Sequence, residues 1–124
     1  MNAAAIPVPQ LACLLHDAAD GVPADTAAVE LIDAHGHFLH CDAFRRIIST
    51  GSYSGQPAAV IRWTAAIWAL DNGYLPCSSS ERAILRIAAS LADPAIAINL
   101  RDNLGNLDYR NITLVTGAIT RANG

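Results

Sequence analysis

One helix with clear start and stop signals restricts most strongly how this chain can fold. Ser78 and Glu81 have the spacing of a capping box, in which the serine hydroxyl and the glutamate carboxylate each accept a backbone N–H of the first turn. The apolar residues that follow recur at helical spacing on one face, as Ile84, Ile87, Ala88 and Leu91. Asp93 and Pro94 end the helix, because proline disfavours the helical conformation of the residue before it. Residues 78–92 are therefore predicted to anchor a core.

The length and composition indicate one compact domain spanning residues 1–124. The chain has 124 residues, of which 52% are hydrophobic and 15% are charged, and this balance argues against disorder. Pro7 and Pro9 interrupt the first residues, so 1–9 are predicted to be frayed. No apolar run reaches the length of about 18 residues that a membrane span needs.

Helical spacing of apolar residues recurs along most of the chain, and the fold class predicted is mostly α. The segments with this spacing, besides 78–92, are 10–19, 26–35, 41–49, 64–70 and 108–122. They predict a single compact helical bundle of five or six helices. Gly117 lies inside the last helix, where glycine costs about 1 kcal/mol relative to alanine, so a close helix crossing is expected there.

Two short segments carry a weaker strand signal. Residues 58–62 and 96–100 contain large aliphatic side chains in short or alternating runs, so they could form one short two-stranded β pairing. An extended, turn-like passage at 96–100 is favoured over this pairing. Residues 50–57 are rich in glycine and serine and are predicted to be the longest loop.

The charges are divided unevenly along the chain. Residues 1–42 carry six acids and no arginine, whereas residues 43–124 carry five acids and eight arginines, and lysine is absent. This asymmetry indicates either complementary charges within the fold or an acidic face at a partner interface. Without lysine and without a glycine-rich motif, a P-loop nucleotide site is excluded.

The cysteines indicate a reducing compartment. Cys13, Cys41 and Cys77 are far apart, and three cysteines cannot all pair within one chain, so a cytoplasmic location is expected. The first residues lack the positive charge of a secretory signal.

Three of the four histidines lie within a few residues of one another. His35, His37 and His40 precede Cys41, and imidazole and thiolate groups are zinc ligands. Their spacing matches no known metal motif, so no metal and no cofactor are assigned. His37, His40 and Cys41 are kept as the candidates.

Cys77 precedes a helix N-terminus, where the helix dipole can lower the pKa of a thiol. A nucleophilic cysteine also needs a base within hydrogen-bond reach. No histidine is close in sequence, so Cys77 is interpreted as a small buried residue before the cap, and no catalytic residue is assigned.

A few arginines and a tryptophan are candidates for contact with nucleic acid or a partner, namely Arg62, Trp63, Arg82 and Arg86. The connection at 71–77 is longer than the turn of a helix-turn-helix motif. Eight scattered arginines do not form a concentrated basic patch, so nucleic-acid binding is not favoured.

The stretch Leu75-Pro76-Cys77-Ser78-Ser79-Ser80-Glu81-Arg82, with Leu91-Ala92 and Asn99-Leu100-Arg101-Asp102, resembles small uncharacterised proteins of high-GC actinobacteria. The resemblance covers at most the C-terminal half. It implies a bacterial, cytoplasmic setting and no mechanism.

These features together predict a non-catalytic small helical protein that acts through protein–protein interaction, with self-association as a homodimer one form of it. A nucleic-acid-binding regulator is the alternative. An enzyme that depends on zinc or a thiol is the third hypothesis.

Overall fold

The computed structural model describes residues 2–124, and its fold is mostly helical with one small antiparallel sheet, which confirms the predicted fold class. Short 3-10 turns lie at Ala3–Ala5 and Phe38–His40. The helices and strands of the described chain are α1 (Val8–Ala19), α2 (Pro23–His35), α3 (Asp42–Arg45), β1 (Ile48–Tyr53), β2 (Gln56–Ile61), α4 (Trp63–Asp71), α5 (Ser79–Ala92), α6 (Leu100–Leu104) and α7 (Tyr109–Ala122).

Helix α5 begins at the predicted capping box. The backbone N–H of Glu81 donates to Oγ of Ser78 at 3.2 Å, and the backbone N–H of Ser78 donates to Oε1 of Glu81 at 2.8 Å. Ile84, Leu85 and Ile87 are buried, as the apolar spacing predicts. A helix start leaves four backbone N–H groups without a helical partner, and the capping box satisfies two of them, those of Ser78 and Glu81.

The core forms where α2 packs against α5 and α7, while α1 packs against α2 and β2. Among the largest fully buried side chains are Leu11, Leu15, Phe38, Phe44 and Ile84. Burial of each such side chain contributes roughly 1.5–3 kcal/mol before conformational entropy is subtracted. Helix α5 thus packs against α2, α4, α6 and α7.

The sheet is a hairpin at 48–61, so the prediction of a loop at 50–57 is wrong. Strands β1 and β2 pair from Ile48 opposite Ile61 to Tyr53 opposite Gln56. Ser54 and Gly55 form the turn with φ of 52° and 79°. Two successive positive φ values are typical of a type I′ turn, whose twist matches that of the strands it joins.

Two further interpretations of the sequence are resolved by this hairpin. The pairing of 58–62 with 96–100, which the sequence pattern does not favour, does not form, because β2 pairs with β1 and residues 95–99 form no strand. Asn99 instead caps α6, its side chain accepting the backbone N–H of Asp102 at 3.0 Å. The helix predicted at 41–49 is only the single turn α3, since the chain enters β1 at Ile48.

The prediction that residues 1–9 are frayed is wrong for the described part of this segment. It includes two buried side chains before α1, and α1 itself begins at Val8. Ala3 and Ile6 are 2% and 4% exposed. The buried Arg45 guanidinium donates to the backbone carbonyls of Ala3, Ala4 and Ile6. Residues 3–6 are therefore held against α3, and Met1 lies outside the described residues.

Helix α7 contains one residue whose predicted role is wrong and one that forms an ion pair with α2. A Cβ added at Gly117 would meet nothing within 4 Å, so no close crossing occurs there. Its missing side chain instead helps to form a groove between α2 and α7. Beside it, Arg121 forms an ion pair with Glu30 at 3.0 Å, which joins the arginine-rich part of the chain to the acidic part.

None of the helices in residues 2–124 combines the length and apolar character that a membrane crossing requires.

Candidate functional site

The start of α5 brings three potential ligand groups together from two distant parts of the sequence. His37 lies in the turn after α2, while Cys77 and Glu81 flank the cap of α5. One ligand atom from each of the three side chains lies within 4.8 Å of the other two. Nδ1 of His37 is 3.1 Å from Oε2 of Glu81. We name these three residues the His-Cys-Glu cluster.

The capping box fixes the position of the carboxylate in this cluster. Because Oε1 of Glu81 accepts the Ser78 backbone N–H, Oε2 is left to face His37. The same backbone hydrogen bond is the main reason that the pKa of Glu81 is lowered from its ordinary value, with the His37 imidazole acting in the same direction. The carboxylate is therefore ionised and oriented at neutral pH.

The pKa of the thiol in the cluster is shifted in the opposite direction to that of the carboxylate. Burial raises the pKa of the Cys77 thiol to about 11, and the nearby Glu81 and Cys41 side chains act in the same direction. The pKa of Cys77 is therefore raised rather than lowered at this helix N-terminus. A histidine does lie near this cysteine, but a thiol that stays protonated at neutral pH lacks the activation that a nucleophile needs.

Two buried imidazole nitrogens lie in or beside the cluster. His35 packs with its ring 6.4 Å from the ring of His37, and Phe38 contacts both. Burial lowers the pKa of His35, and the charge of Arg110 adds to this effect. Nδ1 of His35 and Nε2 of His37 are buried without a hydrogen-bond partner among the described residues.

The three metal candidates from the sequence have different environments. His37 belongs to the cluster. Cys41 is half-buried and close enough to Cys77 to affect its pKa, but it is not one of the three grouped residues. His40 is exposed on the 3-10 turn and contributes nothing to the group.

A second candidate site is apolar and lies at the other end of α5. A groove of about 720 Å³ is lined by the residues Ile61, Arg62, Trp63, Thr64, Ala65, Trp68 and Asp93. Trp68 is 59% exposed and Tyr74 is 65% exposed, and their rings stack with centroids 5.4 Å apart and planes 10° apart. We name this groove with Tyr74 the aromatic surface.

The four predicted contact residues divide between two places. Arg62 and Trp63 lie on the aromatic surface. Arg82 and Arg86 line a separate polar cleft of about 440 Å³ between α5 and α6. Arg86 forms an ion pair with Asp71 at 2.6 Å, which neutralises one of the two charges.

Sequence patterns alone missed Cys77 and Glu81 as partners of His37, and they missed Trp68 and Tyr74 as one surface. The spacing of Trp68 and Tyr74 gave no signal because the end of α4 separates them. Glu81 was recognised only as a capping residue.

No family model matches the chain, and no similar protein was found among curated proteins or solved structures. The resemblance to actinobacterial proteins stays a prediction.

Proposed function

We propose that this protein acts through protein–protein contact and that its aromatic surface binds the same surface of a second copy. The observation that carries the proposal is the exposed stack of Trp68 on Tyr74 beside an apolar groove. Tryptophan and tyrosine are enriched among the residues that dominate binding energy at protein interfaces. Such large rings exposed together favour a partner that removes them from water.

The shape of the surface supports a second copy as the occupant. A two-fold interface requires one surface that provides both a projection and the depression that receives it. Trp68 lines the groove together with Ile61 and Ala65, and its exposed ring stacks on Tyr74, so one surface holds both elements.

The charges of the groove support the same occupant. Arg62 and Asp93 both line it, and Arg62 is exposed. Across a two-fold axis, Arg62 of each copy can face Asp93 of the other, which gives two complementary pairs from one surface.

Two features weigh against nucleic acid as the partner. The net charge is −3, and the groove carries one acid for its one arginine. Arg82 and Arg86 line a different cleft, so they add no positive charge to the groove. Affinity for nucleic acid depends chiefly on basic side chains that neutralise phosphates.

Charge exchange tests the proposal most sharply. The homodimer should weaken in Arg62→Asp, where acids would face acids, and in Asp93→Arg, where arginines would face arginines. A mixture of the two variants should form a heterodimer, because each pair is then restored with reversed sign. Sedimentation velocity over a concentration series measures the dissociation constants, and circular dichroism confirms that each variant is folded.

A tryptophan variant provides an independent test of the dimer interface. Trp68→Ser should raise the dimer dissociation constant by about tenfold or more, since interface tryptophans commonly contribute above 1.4 kcal/mol. Tyr109→Ser is the matched control, because Tyr109 is 87% exposed on α7, away from the groove. A wild-type chain that stays monomeric up to its solubility limit would overturn self-association. Salt-sensitive retention on DNA would favour the alternative regulator.

We place this interaction in a bacterial cytoplasm. Cys13, Cys41 and Cys77 are all free thiols, and reducing conditions preserve free thiols.

A further inference from the structure

We propose that the His-Cys-Glu cluster binds one Zn²⁺ ion through His37, Cys77 and Glu81, with solvent at a fourth position. This inference is independent of the aromatic surface. It rests on the convergence of three ligand atoms of three chemical types within 4.8 Å of one another.

The distance between the imidazole and carboxylate groups suits a tetrahedral ion. Zinc bonds to imidazole nitrogen and carboxylate oxygen at about 2.0–2.2 Å, so two such ligands at a tetrahedral angle lie about 3.3 Å apart. Nδ1 of His37 and Oε2 of Glu81 are 3.1 Å apart. A zinc ion can therefore replace the direct contact between the two groups with little movement of either side chain.

The mixture of ligands selects the class of metal. Calcium and magnesium prefer sites made of oxygen alone, whereas a thiolate, an imidazole and a carboxylate together suit zinc. Three protein ligands leave one position open to water.

The charge balance overcomes the unfavourable helix dipole. A helix N-terminus repels cations, but the carboxylate of Glu81 and the thiolate of Cys77 together carry two negative charges, which neutralise Zn²⁺. The thiol proton passes to solvent when the metal binds. The cap also holds Glu81 in place before binding, since its Oε1 is fixed by the Ser78 backbone N–H.

Two buried imidazole nitrogens lie at this end of α5. Nε2 of His37 is buried without a hydrogen-bond partner in residues 2–124, and so is Nδ1 of the adjacent His35. An unpaired buried polar group costs about 1–3 kcal/mol. The nitrogen of His37 that faces Glu81, and so would bind the metal, is Nδ1, which leaves Nε2 as the N–H side of the ring.

Titration of the full chain, first stripped with EDTA, tests the site with Zn²⁺ and with Co²⁺. We expect one Zn²⁺ per chain by calorimetry. Co²⁺ should give a sulfur-to-cobalt charge-transfer band and the strong visible bands of a four-coordinate ion. Cys77→Ser should abolish the charge-transfer band. Loss of a residue that only supports a zinc ligand costs about 10- to 100-fold in affinity, so loss of the Cys77 ligand should cost about 100-fold or more.

Matched variants separate the cluster from its neighbours. His37→Gln should weaken Zn²⁺ binding, whereas His40→Gln should not, because His40 is exposed and outside the group. Cys13→Ser and Cys41→Ser should keep the cobalt band. If Cys77→Ser or His37→Gln fails to fold, Glu81→Gln serves as the test variant. Its amide oxygen can still accept the Ser78 N–H, so the cap is kept while the carboxylate ligand for Zn²⁺ is lost. Absence of stoichiometric Zn²⁺ binding, or a cobalt band that survives Cys77→Ser, would overturn the proposal. A band halved by Cys41→Ser would overturn the three-ligand assignment.

Discussion

The two ends of α5 differ in whether their side chains already have partners within the chain. At the N-terminal end, Ser78, Glu81 and His37 form a chain of short polar contacts, and each side chain has a defined position. At the C-terminal end, Asp93 lies beside an apolar groove in which Trp68 is 59% exposed. The first end is organised before any ligand arrives, and the second leaves apolar area to be buried by a partner.

This difference predicts different consequences of substitution at the two ends. Polar contacts at the N-terminal end already stabilise the monomer, so their loss should lower the free energy of unfolding. Trp68 contributes mainly surface that is open to solvent, so its loss should affect association more than folding. Both ends depend on α5 remaining a rigid helix between them.

The largest expected effect comes from the middle of α5, which connects the two ends. Ile84 is 0% exposed, and Ile84→Ala should lower the free energy of unfolding by about 2–5 kcal/mol through lost burial and the cavity left behind. Urea unfolding followed by circular dichroism measures the change. Ile119→Ala is the matched control, because Ile119 is 50% exposed on α7, and it should cost far less. Equal losses in the two variants would show that α5 does not carry the core.

Local signals explain which parts of the fold could be predicted from the sequence. The cap at Ser78 depends on a few adjacent residues, and the structure confirms it; the Asp108 cap of α7 and the left-handed Gly36 after α2 are local features of the same kind. The hairpin could not be recognised in this way. Its turn places Ser54 at φ 52°, a conformation that serine rarely adopts, so the usual asparagine–glycine signal is absent.

The candidate sites were less predictable because they depend on tertiary contacts. His37 follows α2 and Cys77 precedes α5, and only the packing of these two helices brings the side chains together. The local histidine pattern included His37, which the structure places in the His-Cys-Glu cluster, and also His40, which is exposed on the short 3-10 turn. The pKa of Cys77 likewise follows from burial, which no local pattern reveals.

A smaller effect is expected from the cap itself, at the organised end of α5. Ser78→Ala removes the acceptor of the Glu81 backbone N–H and should lower the free energy of unfolding by about 1 kcal/mol. Ser79→Ala is the control, since Ser79 is the first helical residue, is exposed and is not the capping acceptor. Urea unfolding of both variants in EDTA measures the difference. If the Ser79 variant were as unstable as the Ser78 variant, the contacts at this end would not be specific.

The smallest expected effect is the pH dependence that Glu81 gives to the same end. The pKa of Glu81 is lower in the folded chain than its ordinary 4.5, chiefly because the carboxylate accepts the Ser78 backbone N–H. The unfolded chain therefore binds a proton first as the pH falls, so this stabilisation is complete above the ordinary pKa and is lost as the pH drops through the folded pKa. In Glu81→Gln the amide stays neutral, so unfolding midpoints measured in EDTA between pH 6 and the acid range should decline less than in the wild type. His37→Ala should keep most of the wild-type decline, because the backbone hydrogen bond outweighs the His37 charge as the cause of the shift. A decline lost in His37→Ala but retained in Glu81→Gln would mean that the imidazole, rather than the capped carboxylate, controls the acid sensitivity of this end of α5.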